Sequence, residues 1–380
     1  MVRVLHILDT LYQKSGVANV IMNYYRNVDR DKVQFDFLIT RDKEHTYIDE
    51  VKSYGGNVYY MPQLSIANVV SFYGAINDFF KCHQTKYNII HSHFNQIDSI
   101  VFPIAKKFGI KECISHSHST KYSDSKIKGF RNWLMCLPIQ RNATRWLACS
   151  VAAGSFLFGK KFRYSSKSMV LNNAIDINRF MYNETTRENI RKHLGVEGKY
   201  VVGHVGRFSA EKNHNFLIKV FKKIKEMNED SVLLLVGDGP LYEEINNQII
   251  KSGLKNDVIL LGQRSDISEI MQTFDALIFP SRFEGLGIVL IEAQAAGLPC
   301  IYSDNIPDEV DILDNNVILS LNEEIDVWAN AILKKKDHNR RNRVTNQLEK
   351  AGFNIKQEAN KLLDFYLSLT SEEEAAYEKK

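Results

Sequence analysis

The sequence predicts an α/β protein built as two doubly wound parallel-sheet domains facing a cleft. Three observations predict it. The chain has 380 residues, too many for one ordinary α/β core and enough for two of roughly 170–190 residues each. Short β-rich apolar runs alternate with helical patterns, and crossovers of that length imply parallel βαβ units. The rhythm lapses once near the middle and then restarts.

The first series of strands is VRVLHIL (2–8), FDFLIT (35–40), NVYYM (57–61), NIIHSH (88–93), ECISHSH (112–118) and RWLACS (145–150). The second is YVVGHVG (200–206), SVLLLVGDG (231–239), DVILLG (257–262), ALIFPS (276–281) and LPCIYSD (298–304). Between them VLNNAIDINRFMYN (170–183) loses periodicity and gains Asn and Asp, as an interdomain linker does. The expected domains are 1–175 and 176–353. A last segment, 354–380, carries the amphipathic helix NIKQEANKLLDFYLSL (354–369), expected to pack back on the first domain, and an acidic tail expected to fray after Thr370.

Composition narrows the class. Apolar content of 44% and charged content of 25% are those of an ordinary globular protein. The five cysteines are odd in number, scattered and free of C-x-x-C spacing, which disfavours a disulfide framework or a zinc finger and suits a reduced, cytoplasmic compartment. In MVRVLHILDT the apolar stretch runs straight into Asp9 without a small-residue cleavage site, so it reads as a buried strand rather than a signal peptide. No run approaches the ~18 apolar residues of a membrane span.

The net charge of +4 hides an asymmetry. Residues 101–170 hold 13 basic residues (Lys106, Lys107, Lys111, Lys121, Lys126, Lys128, Arg131, Arg141, Arg145, Lys160, Lys161, Arg163 and Lys167) against two acids, Glu112 and Asp124. Interleaved with them are Tyr122, Phe130, Trp133, Leu134, Met135, Phe156, Phe158, Phe162 and Tyr164. Such a mixture suits an anionic membrane surface, where each nearby cation contributes about 1 kcal/mol; a solvated face over an ordinary core explains the composition equally well. Nucleic acid is disfavoured, because no binding motif accompanies the charge.

In open α/β sheets ligands bind beyond the carboxyl ends of the strands. The first strand of the first half runs into DTLYQKSGVANVIMN, where Ser15-Gly16 opens a helix; that of the second half runs into RFSAEKNHNFLIKVF, with Arg207 and Lys212 at the turn. Neither turn has G-x-G-x-x-G, which argues against a nicotinamide or flavin enzyme. The most informative stretch is PSRFEGLGIVLIEAQAAGLP (280–299), in which Glu284 precedes Gly285-Leu286-Gly287, an apolar helix follows, and Glu292 comes eight residues after Glu284. Eight helical residues span about 12 Å. The two carboxylates are therefore expected to bracket an extended ligand, with the glycine turn and helix start between them for a phosphate.

On these residues the chain resembles glycosyltransferase family 4, the retaining GT-B enzymes with two Rossmann-like domains, and especially the bacterial capsule and exopolysaccharide members. Glu284 and Glu292 match the family's paired Glu, and Arg207 with Lys212 match its Arg and Lys on the donor diphosphate. Val236-Gly237-Asp238-Gly239-Pro240, Gly262-Gln263-Arg264-Ser265-Asp266-Ile267 and Asn173-Ala174-Ile175-Asp176 are also similar. The resemblance implies that Glu284 contacts the transferred sugar and Glu292 the ribose hydroxyls, that Gly285, Leu286, Gly287 and Gly237 line the donor, and that Arg264, Ser265 and Ile267 lie near the base. Gly16 matches one of two glycines usual in the family's first loop, the other being replaced by Ser15. The family's histidine after the fifth strand matches His118 or His116, with His118 favoured by register; His93, like His116, is an acceptor-side candidate.

The reaction implied is transfer of a hexose from a nucleotide diphosphate sugar, UDP ahead of GDP, to a lipid-linked saccharide at the inner face of the cell membrane, with retention. Arg207 and Lys212 would meet the charge growing on the leaving phosphate, and no Asp-x-Asp follows a strand, so neither metal nor cofactor is expected. Two other classes share the pattern: a GT-B nucleotide-sugar epimerase and a catalytically silent partner subunit.

Overall fold

The computed structural model describes residues 1–13, 15–41, 45–123, 125–335 and 344–377. It divides into two compact units, Met1–Ala174 with Ile355–Lys380, and Ile175–Asn354.

In the first unit β1 (Val2–Thr10), β2 (Val33–Arg41), β3 (Val58–Tyr60), β4 (Ile89–Ser92), β5 (Glu112–Ser117), β6 (Arg145–Ala148) and β7 (Ser168–Val170) form one sheet in the order β3-β2-β1-β4-β5-β6-β7. Every pairing is parallel. Parallel strands need crossovers that cover both faces, and the middle of β1 is accordingly buried without alternation. The chain builds outward from β1 to β3 and then reverses to β4, so the switch point lies between β1 and β4.

The chain returns to this unit at its end. The helix Ile355–Tyr377 packs on the helix Gly16–Asn27 and on β1 and β2. Its Leu362, Leu363, Tyr366 and Leu369 follow helical spacing and are all buried. It runs beyond Thr370, where the sequence suggested fraying, to Tyr377.

In the second unit β8 (Tyr200–Val205), β9 (Ser231–Val236), β10 (Val258–Gly262), β11 (Ala276–Phe279), β12 (Cys300–Ser303) and β13 (Val317–Leu319) form a parallel sheet in the order β10-β9-β8-β11-β12-β13. Its switch point lies between β8 and β11. Val202, Leu233, Leu235, Ile278 and Ile301 of the sheet pack with Leu217, Phe221 and Ile224 of the helix His214–Met227 and with Trp328. The fully buried Trp328 keeps its indole N–H satisfied by donating to the Ser320 carbonyl at 3.1 Å.

β7 and β13 have no counterpart in the sequence reading. Each is three residues long at a sheet edge, too short to show a period. β7 also falls across the start of the segment read as a linker, which further on forms the short helix Ile177–Phe180.

Candidate active site

The two carboxyl-end loops at the second switch point meet through an ion pair. Lys212 closes the short turn after β8, and Glu284 follows β11. The Lys212 ammonium lies 2.6 Å from a Glu284 carboxylate oxygen and 4.5 Å from the centre of the Phe279 ring, with the paired side chains only 13% and 14% exposed. A second stitch runs beside it: Arg282 donates its backbone N–H to the Glu211 carbonyl at 2.8 Å and its guanidinium to Asn213 at 3.3 Å.

Arg207, also in the loop after β8, is exposed. Its backbone is held by the next loop: Gly206 N–H donates to Val236, Phe208 N–H to Asp238 and Leu241 N–H to Phe208. Gly237 has φ +141°, and a methyl there would lie 1.9 Å from the Gly206 carbonyl oxygen. Only glycine allows that approach. Gly237 thus braces the Arg207 loop through the backbone.

Glu284, Gly285, Leu286 and Gly287 form a loop, and the helix starts only at Ile288 and runs to Ala295. The 12 Å span that assumes helix throughout therefore does not apply, because Gly287 in the left-handed region, φ +90°, begins the helix late. Leu286 is buried. No side chain caps this helix start, which suits a bound anion.

Glu292 lies on that helix with its carboxyl pushed up to about 7 by burial, partly opposed by the Arg179 charge. Arg179, on the short helix Ile177–Phe180, donates to the Ser268 hydroxyl and the Ser265 carbonyl, each at 3.3 Å. Ser265 and Ser268 are thereby joined to Arg179, whose charge reaches Glu292, while Ile267 begins the helix Ile267–Thr273 beside them in sequence. Arg264 is exposed and held by a two-pronged pair with Asp266 at 2.8 and 2.5 Å. Sequence reasoning missed Arg179, although it stands three residues beyond the noted Asn173–Asp176 stretch. It also missed His204 and His214, buried near Lys212 and kept neutral by burial, His214 with its pKa lowered to about 4. A cavity of about 550 Å³ lined by Asn213, Lys219, Arg282, Asp304 and others includes none of Arg207, Lys212, Glu284 and Glu292. Volume alone does not mark the site.

In the first unit Gly16 begins the helix Gly16–Asn27, and Ser15 accepts from the Ala18 N–H as its cap. Ser15 thus does local work where the family has glycine. A methyl added to Gly16 would meet nothing within 4 Å, so packing does not demand glycine there.

Five histidines gather at the first switch point. Alternate residues on adjacent strands share a face, which collects His6 from β1, His91 and His93 from β4 and its end, and His116 and His118 from β5 and its end. His6 Nδ1 lies 3.1 Å from His93 Nε2, His93 Nδ1 lies 2.8 Å from His118 Nε2, and His91 Nε2 lies 3.1 Å from His116 Nδ1. His91 Nδ1 also meets the Tyr366 hydroxyl at 2.5 Å. Burial holds all five rings neutral, lowering His6 to about 3 and His118 to about 4. His118 and His93 are half-buried, while His116 is 2% exposed. His116 is enclosed by the rings of His91, His93 and His118.

Comparison with known proteins follows the same lines. The family described as "Glycosyl transferases group 1" matches residues 186–351. The "Putative glycosyltransferase EpsF" of Bacillus subtilis (strain 168) is 36% identical over 375 residues, 96% of each chain. The Escherichia coli "UDP-Gal:alpha-D-GlcNAc-diphosphoundecaprenol alpha-1,3-galactosyltransferase" is 26% identical over 377 residues, 93% of this chain and 94% of its own. The structure of Anabaena Alr3699/HepE in complex with UDP and glucose shares the fold, with a TM-score of 0.79 over 97% of this chain and 100% of that one at 19% identity. The chain therefore belongs to the group 1 glycosyl transferases and is a glycosyltransferase enzyme of GT-B fold.

Proposed function

We propose that this glycosyltransferase moves a hexose from a UDP-sugar to a lipid-linked saccharide during capsule or exopolysaccharide synthesis, with retention and without a metal. The Lys212–Glu284 pair beside the uncapped helix start carries the reading. It offers a cation for diphosphate, a helix start without a side-chain cap for a phosphate and a carboxylate for sugar hydroxyls. Arg207 and Lys212 stabilise the negative charge that builds on the leaving phosphate as the glycosidic bond breaks. No side chain is assigned as nucleophile: the acceptor hydroxyl attacks from the face the diphosphate leaves, and a diphosphate oxygen takes its proton. Glu292 accepts from the ribose hydroxyls, and His118 orients a sugar hydroxyl. UDP as carrier and a lipid-linked acceptor gain support from what the Escherichia coli relative is named to use.

The proposal is tested by offering UDP- and GDP-hexoses with and without lipid-linked acceptor and following the anomeric configuration by NMR. Acceptor-dependent transfer with retention from a UDP-hexose is expected. Conversion of donor without acceptor would indicate an epimerase, and absence of turnover with every donor would indicate a silent subunit.

Glu292 makes nucleotide binding pH-dependent. Its carboxyl is half-protonated near pH 7, and only the ionised form accepts from both ribose hydroxyls. UDP affinity is therefore expected to fall about tenfold from pH 8 to pH 6, and calorimetry of Glu292→Gln should show that dependence lost.

Membrane contact belongs to the same proposal. The helix Lys126–Cys136 and its end expose Ile127, Phe130, Trp133, Leu134 and Leu137, beside exposed Lys126, Lys128 and Arg131. Phe158 and Phe162 instead stack in the core, so only part of the basic-aromatic stretch is free for lipid. No helix among the described residues is long and apolar enough to cross a membrane. Sedimentation with phosphatidylglycerol vesicles is expected, and a Phe130→Ser, Trp133→Ser double substitution should weaken it at least about tenfold; undiminished binding would place the contact elsewhere.

A further inference from the structure

The histidine cluster of the first unit exceeds what one donor contact needs. Three of its buried nitrogens, His6 Nε2, His116 Nε2 and His118 Nδ1, have no protein partner among the described residues. The five rings line a cavity of about 10 Å³, room for one small atom. One nitrogen from each of His93, His116 and His118 lies within 4.8 Å of the other two. A tetrahedral ion with metal–nitrogen bonds of ~2.0–2.1 Å needs separations of about 3.3 Å, within reach of small ring rotations.

We propose that His93, His116 and His118 bind one divalent transition-metal ion of the zinc class, and that this ion inhibits the enzyme. One tautomer set orients two of the three ligand rings. His93 coordinates through Nδ1 and donates from Nε2 to His6 Nδ1. His116 coordinates through Nε2 and donates from Nδ1 to His91 Nε2, and His91 donates from Nδ1 to the Tyr366 oxygen. Each of these two ligand rings thus has its second nitrogen anchored, the arrangement that orients imidazole ligands in metal sites. The cavity lining holds no carboxylate, which disfavours magnesium and calcium and suits zinc, cobalt or nickel. Half-buried His118 gives the ion a way in.

The inhibitory part rests on the proposed role of His118: an imidazole engaged by metal no longer orients a sugar hydroxyl. The ion has no part in the reaction itself.

Cobalt titration of the chelator-treated full chain tests the site, because tetrahedral cobalt absorbs visibly. One equivalent is expected to bind with a tetrahedral spectrum and to be displaced by zinc. His116→Gln should abolish that spectrum, and His91→Gln, which removes an outer anchor, should weaken affinity about 10- to 100-fold. X-ray absorption of zinc-loaded wild-type protein, expected to show three imidazoles, decides the matter if either variant fails to fold. No stoichiometric binding, an oxygen-only shell, or wild-type affinity in both His93→Gln and His116→Gln would overturn the site. Turnover supplies the second arm: full activity after chelation, loss with one equivalent of zinc and recovery with chelator are expected. Zinc bound without loss of turnover would overturn the inhibitory part alone.

Discussion

Lys212→Ala is expected to lower turnover by about 10²–10³-fold, the usual effect of removing one group aimed at transition-state charge. Charge on the leaving phosphate grows as the sugar departs, so a cation there contributes more in the transition state than in the bound donor. Steady-state kinetics should therefore show most of the loss in kcat, with KM for donor changed far less. A structural contribution must be separated from this. Lys212 and Glu284 are both mostly shielded from solvent, and removing one partner leaves the other charge unpaired. A Lys212→Ala, Glu284→Ala double variant that regains thermal stability without regaining turnover distinguishes the two.

Glu284→Ala is expected to lower turnover about 100-fold while leaving UDP affinity within about twofold, since in the proposed reaction the carboxylate serves the sugar rather than the nucleotide. Calorimetry with UDP and kinetics with the UDP-hexose separate the effects. Glu284 holds the Lys212 ammonium at 2.6 Å; in the proposed reaction, donor binding would exchange that contact for phosphate on Lys212 and hydroxyls on Glu284. The two substitutions should therefore be non-additive in turnover. Additive losses would mean that the residues act on separate steps.

The strands that set the switch points were legible because they are long enough to show a period and end in recognisable turns. VRVLHIL and YVVGHVG mark the centres of the two sheets, and Lys212 and Glu284 follow the strands on either side of the second switch point. The three-residue edge strands β7 and β13 were not legible, since a ladder that short leaves no pattern. Glu284 to Glu292 was legible as a pair but not as a geometry: Gly287 delays the helix, so half the stretch is loop. Arg179 was hidden because its partners, Ser265 and Ser268, lie more than 80 residues away in sequence. The histidines stood out individually, whereas their assembly into one network needed the strand order β1-β4-β5 and the return of Tyr366 on the last helix.

Titration of UDP into wild-type protein and Glu292→Ala by calorimetry tests most directly the central claim that the second unit carries a nucleotide-sugar site. One UDP is expected to bind the wild type, at least about tenfold more tightly than the variant. Absence of UDP binding to the wild type, or equal affinity in the two proteins, would contradict the claim.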